Sequence, residues 1–385
     1  MISRKDNGPL ARWWYTVDWP LMGAVWLLMA LGVMFSLVAS PPVAQRIGLG
    51  GFHFFTRHLL FLLPAAALFA ASSMLNGPLT RRLALLLFIG GLGLMGLALI
   101  AGPEIKGAHR WIDLGPFNLQ PSELAKPGFV VLAAWLLVEA KRRPEMPGMW
   151  IGWGLFGLFA GLLVLQPDMG QTVLVAATWL GLLFLSGLAW RHVLMLGGAA
   201  LAGLAAAFVA FDHVRARIMH FIDPPPVIDG ARTQMDFARE AFLNGGLFGA
   251  GPGGGSVNKY LPDAHTDFLL AAVAEEFGLM AVIVVIGVYV FIVQRILRRA
   301  AGLGNPFRRL AAAGLAILFG LQAFINLGVN VQLLPAKGMT LPLLSYGGSS
   351  LMAAAMTLGM ALALLREDAR EAAFPDAGRA MAARA

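Results

Sequence analysis

Four stretches of an otherwise apolar chain carry residues able to do chemistry. The first, PEIKGAHRWIDLGPFNLQPSELAKP (103–127), sets Arg110 beside Trp111 and follows with Gln120, Ser122, Glu123 and Lys126. An isolated Arg–Trp pair at a membrane surface reads as an interfacial anchor. Glu123 and Lys126 are three apart and share a helix face, and Ser122 is placed to cap that helix. At membrane depth such a pair either ties helices together or belongs to a functional site. The second stretch, LQPDMGQT (165–172), places Gln166, Pro167 and Asp168 in a short turn between apolar helices. Turn chemistry accounts for Pro167 and Gly170, whereas Asp168 at membrane depth asks for a role.

The third stretch is the long segment 212–266. Arg217 lies in its opening, RARIMHFIDPPP. Residues 233–243 predict an amphipathic helix along the membrane surface, with Phe237 and Phe242 toward lipid. GGLFGAGPGGG (245–255) has seven Gly in eleven residues. Its amides can cradle phosphate oxygens or the run can act as a hinge; no Gly-Lys-Ser/Thr follows, so it is not a nucleotide P-loop. Lys259 comes next, and then YLPDAHTDF sets Asp263, His265, Thr266 and Asp267 at the mouth of an apolar helix. His and carboxylates can build a metal site, but this spacing matches no standard cage. A carboxylate here can also cap the helix. A general base for an alcohol nucleophile needs one partly desolvated carboxylate within reach of substrate, and Asp267 meets that description. Glu275 and Glu276, further along the helix, pair inside the bundle or carry a proton path. The fourth stretch, LLPAKGMTLPLLSYGGSSL (333–351), contains Lys337 as its one charge, and Ser345. Its two prolines and Gly pair predict a re-entrant or broken entry to the last helix, tolerated only where backbone lines a cavity. Lys337 anchors at the interface or meets an anionic head group.

The elements that position these residues are membrane helices. Of 385 residues, 58% are hydrophobic and 13% charged, with mean hydropathy +0.72; soluble domains carry about 25% charged residues. Disorder, collagen and coiled coil are excluded by composition, and zero Cys excludes disulfides and thiolate chemistry. Ten apolar runs predict transmembrane helices near 18–40, 58–76, 82–102, 122–140, 149–166, 170–188, 191–211, 267–294, 309–331 and 344–365. The first run is too long for a signal peptide and reads as an uncleaved anchor. Basic clusters at Arg81–Arg82, Lys141–Arg143, Arg298–Arg299 and Arg308–Arg309 fall on the side of Arg4, Lys5 and Arg12. That bias predicts both termini, including the tail 366–385, in the cytoplasm. The expected fold is thus an all-α polytopic membrane protein in a single domain, 1–385. Its large extracytoplasmic loop, 212–266, lies between the seventh and eighth helices.

Arg110, Arg217, Lys259 and Lys337 can face phosphate, and Glu123, Asp168 and Asp267 can move protons. No ATP motif is present. A reaction at the outer face needs a substrate carrying its own activation, such as a lipid-linked pyrophosphate sugar. The residues alone leave transferase and transporter both open.

The segments GAHRWIDLGPFNLQPSELAKP, LQPDMG, HTDF and LPLLSYGGSS resemble, in order and across essentially the whole chain, the SEDS family (shape, elongation, division and sporulation). LPDAHTDF followed by AEEFG, and LLPAKGMTLP, are similar to its cell-division (FtsW-type) branch; a RodA-like elongation enzyme is the alternative. The division branch often has an acidic residue where this chain has Gly254, and Lys where it has Asn258, with Lys259 one place later.

The resemblance implies a peptidoglycan glycosyltransferase of the bacterial inner membrane, at the division septum, that polymerises lipid II onto a nascent glycan strand. It implies that Asp267 is the essential carboxylate, deprotonating the GlcNAc 4-hydroxyl of the acceptor. That oxygen attacks the anomeric carbon of the terminal MurNAc with inversion, and undecaprenyl pyrophosphate leaves. Arg110, Arg217, Lys259 and Lys337 become candidates for pyrophosphate, and Trp111 for the sugar or lipid groove. Gln120, Ser122, Glu123, Lys126, Gln166, Asp168, His265, Thr266 and Ser345 lie in the matching motifs. A divalent cation (Mg or Mn) is an optional assistant with no visible cage. Expected partners are a class B penicillin-binding protein and division-site activators, with no nucleic acid. A lipid II flippase and a non-catalytic scaffold are the competing classes. Polar residues crowding the outer face argue against the flippase, because transporters place them near the midplane.

Overall fold

The computed structural model describes residues 8–105, 107–115, 117–222, 233–261, 263–335 and 338–366. Lys337 and the tail from 367 on lie outside them. Each of the ten expected segments is helical. The chain runs α1 (Pro9–Thr16), α2 (Trp19–Arg46), α3 (His53–Ser73), α4 (Gly77–Ala101), a hairpin of β1 (Ile112–Asp113) and β2 (Asn118–Leu119), then α5 (Pro121–Arg142), α6 (Gly148–Leu165) and α7 (Met169–Leu185). It continues with α8 (Trp190–Ala210), α9 (Asp212–Ile222), α10 (Gln234–Gly245), α11 (Leu269–Ala301), α12 (Pro306–Asn330) and α13 (Gly348–Leu365). The hairpin is antiparallel, with Ile112 opposite Leu119.

Eight helices, α2, α3, α4, α6, α8, α11, α12 and α13, are long and apolar enough to cross a membrane. The other two expected spans are α7, one turn shorter than a typical span, and α5, which carries Glu123, Lys126, Glu139, Lys141 and Arg142. In α5 Pro121 takes the first helical position, where its missing N–H costs nothing. Gln120 therefore holds the cap position, and Ser122, expected to cap, is buried inside the first turn.

The bundle is organised around α13. From Ser349 to Leu365 every residue except Met352 is buried. Gly359 lets α13 lie directly on α3, since any side chain there would collide with Ser72 Oγ and the Phe69 carbonyl. Close approach of small residues supplies the packing that lipid solvent does not. At the other extreme, α8 buries only Ala207 among its described side chains.

Charged residues tie the helix ends where the basic clusters gather. Arg295 Nε and Arg299 Nε each donate to Asp18 at 3.0 Å, joining the cap of α2 to the last turns of α11. Arg308 Nε donates to Leu364 O at 2.8 Å, and Arg366 Nη1 to Ser73 O at 3.0 Å. These two guanidiniums satisfy final carbonyls that α13 and α3 leave open.

Candidate active site

The polar residues form two clusters on one side of α12. The first surrounds Asp267, which stands half-buried just before α11. Its backbone carbonyl accepts from Asn326 Nδ2 and from Asn330 Nδ2, both at 2.9 Å. Asn326 Nδ2 also reaches Met339 O at 2.6 Å, and Asn330 Oδ1 accepts from Ala271 N at 3.2 Å. The two asparagines thereby lock the mouth of α11 to the 338–347 segment. Gly338 (φ +61) is close enough to Asp267 that a Cβ there would lie 3.7 Å from Oδ2.

His265 stacks on Phe54 with ring centroids 4.0 Å apart, and its carbonyl accepts from Tyr346 N at 3.0 Å. Its Nδ1 is buried without a hydrogen-bond partner, and burial pushes the imidazole down from its ordinary 6.5 to about 4. His265 is therefore neutral at physiological pH. Thr266 Oγ1 donates to Asp263 O at 3.3 Å, and Asp263 accepts from Gln234 Nε2 at 3.0 Å, which docks α10 beside the motif.

The 338–347 segment is re-entrant, as its composition predicts. It is irregular and buried, and Leu343 O faces Gly32, near the middle of α2. Tyr289 on α11 donates its hydroxyl to Pro342 O. Ser345 works within this segment, its Oγ accepting from Leu341 N at 3.1 Å. Backbone at membrane depth survives here because protein supplies its partners.

The second cluster is a buried network across α5, α7 and α12. Lys126 Nζ lies 2.9 Å from Glu123 Oε2 and donates to Gln171 Oε1 at 2.8 Å and Gln322 Oε1 at 2.9 Å. Gln171 Nε2 returns a bond to Glu123 Oε1 at 2.6 Å. The buried ammonium thus has one ion-pair partner and two amide acceptors. Asp168 caps α7 by accepting from Gln171 N, and Gln120 Nε2 donates to it at 3.3 Å. Burial pushes the Asp168 carboxyl up, and Arg110 pulls it down. Arg110 itself donates to Gln166 O at 2.9 Å and Pro167 O at 2.6 Å, with Nη1 3.9 Å from Asp168. Gln166 Nε2 reaches Met95 O at 3.1 Å, and Trp111 is half-buried next to the clamp. Arg110, Gln120, Glu123, Lys126, Gln166 and Asp168 thus belong to one body.

The clusters meet along α12. Gln322, Asn326 and Asn330 recur every fourth residue on one face and are all buried. They span about 12 Å of helix. Gln322 holds Lys126 and the next two hold Asp267. These three amides, with Gln171, are site residues that the motif reading passed over. Their signal was present, because uncharged amides at four-residue spacing in an apolar helix mark an interhelical seam.

Other expectations need correction. The Gly-rich run is not an open phosphate cradle. Helix α11 is interrupted at Gly278 (φ +77), and the run fills the break. Ala250 N and Gly251 N donate to Glu275 O and Glu276 O; Leu279 N and Met280 N donate back to Gly246 O and Leu247 O. The Glu275 carboxylate accepts from Ser256 N at 2.7 Å, Val257 N at 2.8 Å and Asn258 N at 3.0 Å. Glu276 accepts from Gly253 N at 2.7 Å and Asn258 Nδ2 at 3.1 Å. Within the run, the amides of Gly249, Ala250, Gly251 and Gly254 are taken by backbone carbonyls and that of Gly253 by the Glu276 carboxylate, while Glu275 gathers the three amides just past it. Helix α10 also differs: Ala238 and Ala241 are fully buried and Phe237 stacks on Tyr260, so it packs on protein. Lys259 is exposed in a separate groove beside Pro41 and Pro42 of α2. Arg217 lies on α9, which belongs to neither cluster. Among the described residues no group of three or more His, Asp or Glu is placed to hold a metal ion, so no step is routed through one.

A multi-pass helical membrane protein with an aspartate at a helix mouth, its backbone held by two amides, is the class that fold and site define. The family profile described as Cell cycle protein, covering FtsW, RodA and SpoVE, matches residues 19–370, and the chain belongs to that family. It is 43% identical over 368 residues to a probable peptidoglycan glycosyltransferase FtsW of Caulobacter vibrioides, covering 95% of this chain and 93% of that one. It is 39% identical to the protein of that description from Nitrosococcus halophilus, covering 94% of each. Among solved structures it is similar to a chain of a peptidoglycan synthase complex described as coordinating polymerization and crosslinking (TM-score 0.73, 30% identity, 91% and 97% covered). It is also similar to the rod shape determining protein RodA of Thermus thermophilus (TM-score 0.67, 30% identity, 93% and 98% covered).

Proposed function

We infer that the chain is a peptidoglycan glycosyltransferase of the cell-division type, polymerising lipid II at the outer face of the cytoplasmic membrane. The observation that carries the reading is Asp267, half-exposed at the mouth of α11 with its backbone fixed by two buried amides. Asp267 takes the proton of the acceptor's GlcNAc 4-hydroxyl. The freed oxygen forms a bond to the anomeric carbon of the strand's terminal MurNAc, the bond from that carbon to the pyrophosphate breaks, and undecaprenyl pyrophosphate leaves. A base held in place contributes both acid–base catalysis and positioning. The basic clusters support an inside location for the ends of α5, α11 and α13, which places Asp267 outside. The relatives named FtsW support a place at the septum, and the matched synthase complex supports a class B penicillin-binding protein as partner. Arg217, Lys259 and Lys337 remain the cations proposed for pyrophosphate, because Arg110 is engaged by the 166–168 turn.

The test supplies lipid II to the purified chain with its transpeptidase partner and follows glycan-strand length. Wild type makes polymer, and a folded Asp267→Asn variant makes none. Equal polymer from both would discard Asp267 as the base. Lipid II crossing vesicle membranes without polymer would favour a flippase.

A further inference from the structure

A cavity of about 600 Å³ opens at the basic end of the bundle, away from both polar clusters. It lies between the last turns of α5, α7 and α11 and the first turns of α12. Leu137, Leu185, Leu297, Leu310 and Ala313 form apolar walls, and Lys141, Arg142 and Arg309 stand at the rim. Among the described residues no acidic side chain lines it. Lys141 donates to the Ser186 carbonyl just past α7, which fixes its ammonium at the mouth. Arg142 is half-exposed, 3.8 Å from Glu139, and Arg309 is exposed. Arg309 sits in the first turn of α12, where a cation opposes the helix dipole. Its neighbour Arg308 is accounted for by the Leu364 carbonyl.

We propose that this cavity binds an anionic phospholipid, its phosphate held by Lys141, Arg142 and Arg309 and an acyl chain laid against the apolar walls. Basic pockets between helix ends at the cytoplasmic side of a membrane recognise such head groups. The depth selects a lipid over free phosphate. Ala313 lies about 10 Å along α12 from Pro306, a length of wall that only a chain can cover. The occupant ties α5 and α7 to α11 and α12, the helices that carry both polar clusters. Assigning it to the inner leaflet rests on the orientation proposed above, whereas binding itself does not.

The experiment uses the full chain, delipidated in detergent and titrated with phosphatidylglycerol, phosphatidylcholine or inorganic phosphate under native mass spectrometry. Wild type retains phosphatidylglycerol preferentially. Lys141→Gln with Arg309→Gln weakens it by about thirtyfold, at about 1 kcal/mol per charge. Arg81→Gln with Arg82→Gln, at the same end but outside the cavity, leaves it unchanged. A photoreactive phosphatidylglycerol on wild type marks peptides containing Leu297 and Ala313, independently of any variant. Equal affinity in both double variants, labelling elsewhere, or inorganic phosphate displacing the lipid at millimolar concentration would overturn the proposal. None of these readouts involves glycan synthesis, so a failed polymerisation assay leaves them standing.

Discussion

Asn326 Nδ2 reaches the backbone oxygens of both Asp267, at 2.9 Å, and Met339, at 2.6 Å. One amide thus sets the distance between the mouth of α11 and the re-entrant segment facing it. Asn326 touches no reacting atom in the proposed chemistry and acts as a positioning residue. Asn326→Leu removes the donor to the Met339 carbonyl, at about 1–3 kcal/mol for the unmet group, and leaves the Asp267 carbonyl to Asn330 alone. The expected result is a fall in polymerisation of about a hundredfold, the scale of an ångström misplacement, with lipid II affinity retained. Unchanged turnover in a folded variant would show that the seam does not position Asp267.

The Glu123–Lys126 pair predicts a large asymmetry between single and double substitutions. Both side chains are at most 5% exposed, so removing one partner strands the other. Lys126→Met or Glu123→Gln should each cost about 3–5 kcal/mol, and the double variant less than either. Thermal unfolding in detergent for the full cycle reads the difference. Additive losses would show that the pair is not coupled.

Glu275 predicts the behaviour of residues 256–258, just past the Gly-rich run. Its carboxylate collects three backbone amides, those of Ser256, Val257 and Asn258. Charged hydrogen bonds of this kind contribute about 2 kcal/mol each. Glu275→Ala should therefore speed hydrogen exchange at these amides by roughly thirtyfold or more. Exchange at wild-type rates would mean the backbone pairing at Gly278 holds the run unaided.

His265 gives a pH dependence with a definite sign. Its folded value is about 4 against an ordinary 6.5, so between these values the unfolded chain binds the extra proton. Stability is full above about pH 6.5 and falls as the pH drops toward 4. His265→Phe keeps a ring against Phe54 and should flatten that slope. A wild-type stability curve level from pH 7 to 4.5 would contradict the buried neutral imidazole.

Much of this was legible in the chain. The ten apolar segments became ten helices because length and hydropathy decide membrane helices more firmly than propensity decides soluble ones. The Glu123–Lys126 spacing forecast their ion pair, and Pro335, Pro342 and the Gly pair forecast the re-entrant segment. The failures share one cause, which is that a polar group's partner is invisible in sequence. The Gly-rich run looked like a ligand site because its amides were counted without Glu275 and Glu276, some twenty residues on. Arg110 looked available because the carbonyls of Gln166 and Pro167, far away in the chain, were not yet beside it. Ser122 lost the cap to Gln120 because Pro121 takes the first helical position, two residues ahead of a helix capped by Ser122.

The burial of α13 sets a condition on biosynthesis. Among the described helices the most enclosed, α13, is made after α3, α5 and α12, against which it packs. Until Gly348–Leu365 is inserted, α3, α5 and α12 can only surround a vacancy, and the Arg308 guanidinium has no Leu364 carbonyl to hold. A nascent chain halted before Gly348 thus presents an open bundle, the kind of intermediate that aggregates or is degraded. Helix α13 works as a keystone, because the bundle closes around it only after every helix it packs against has been made.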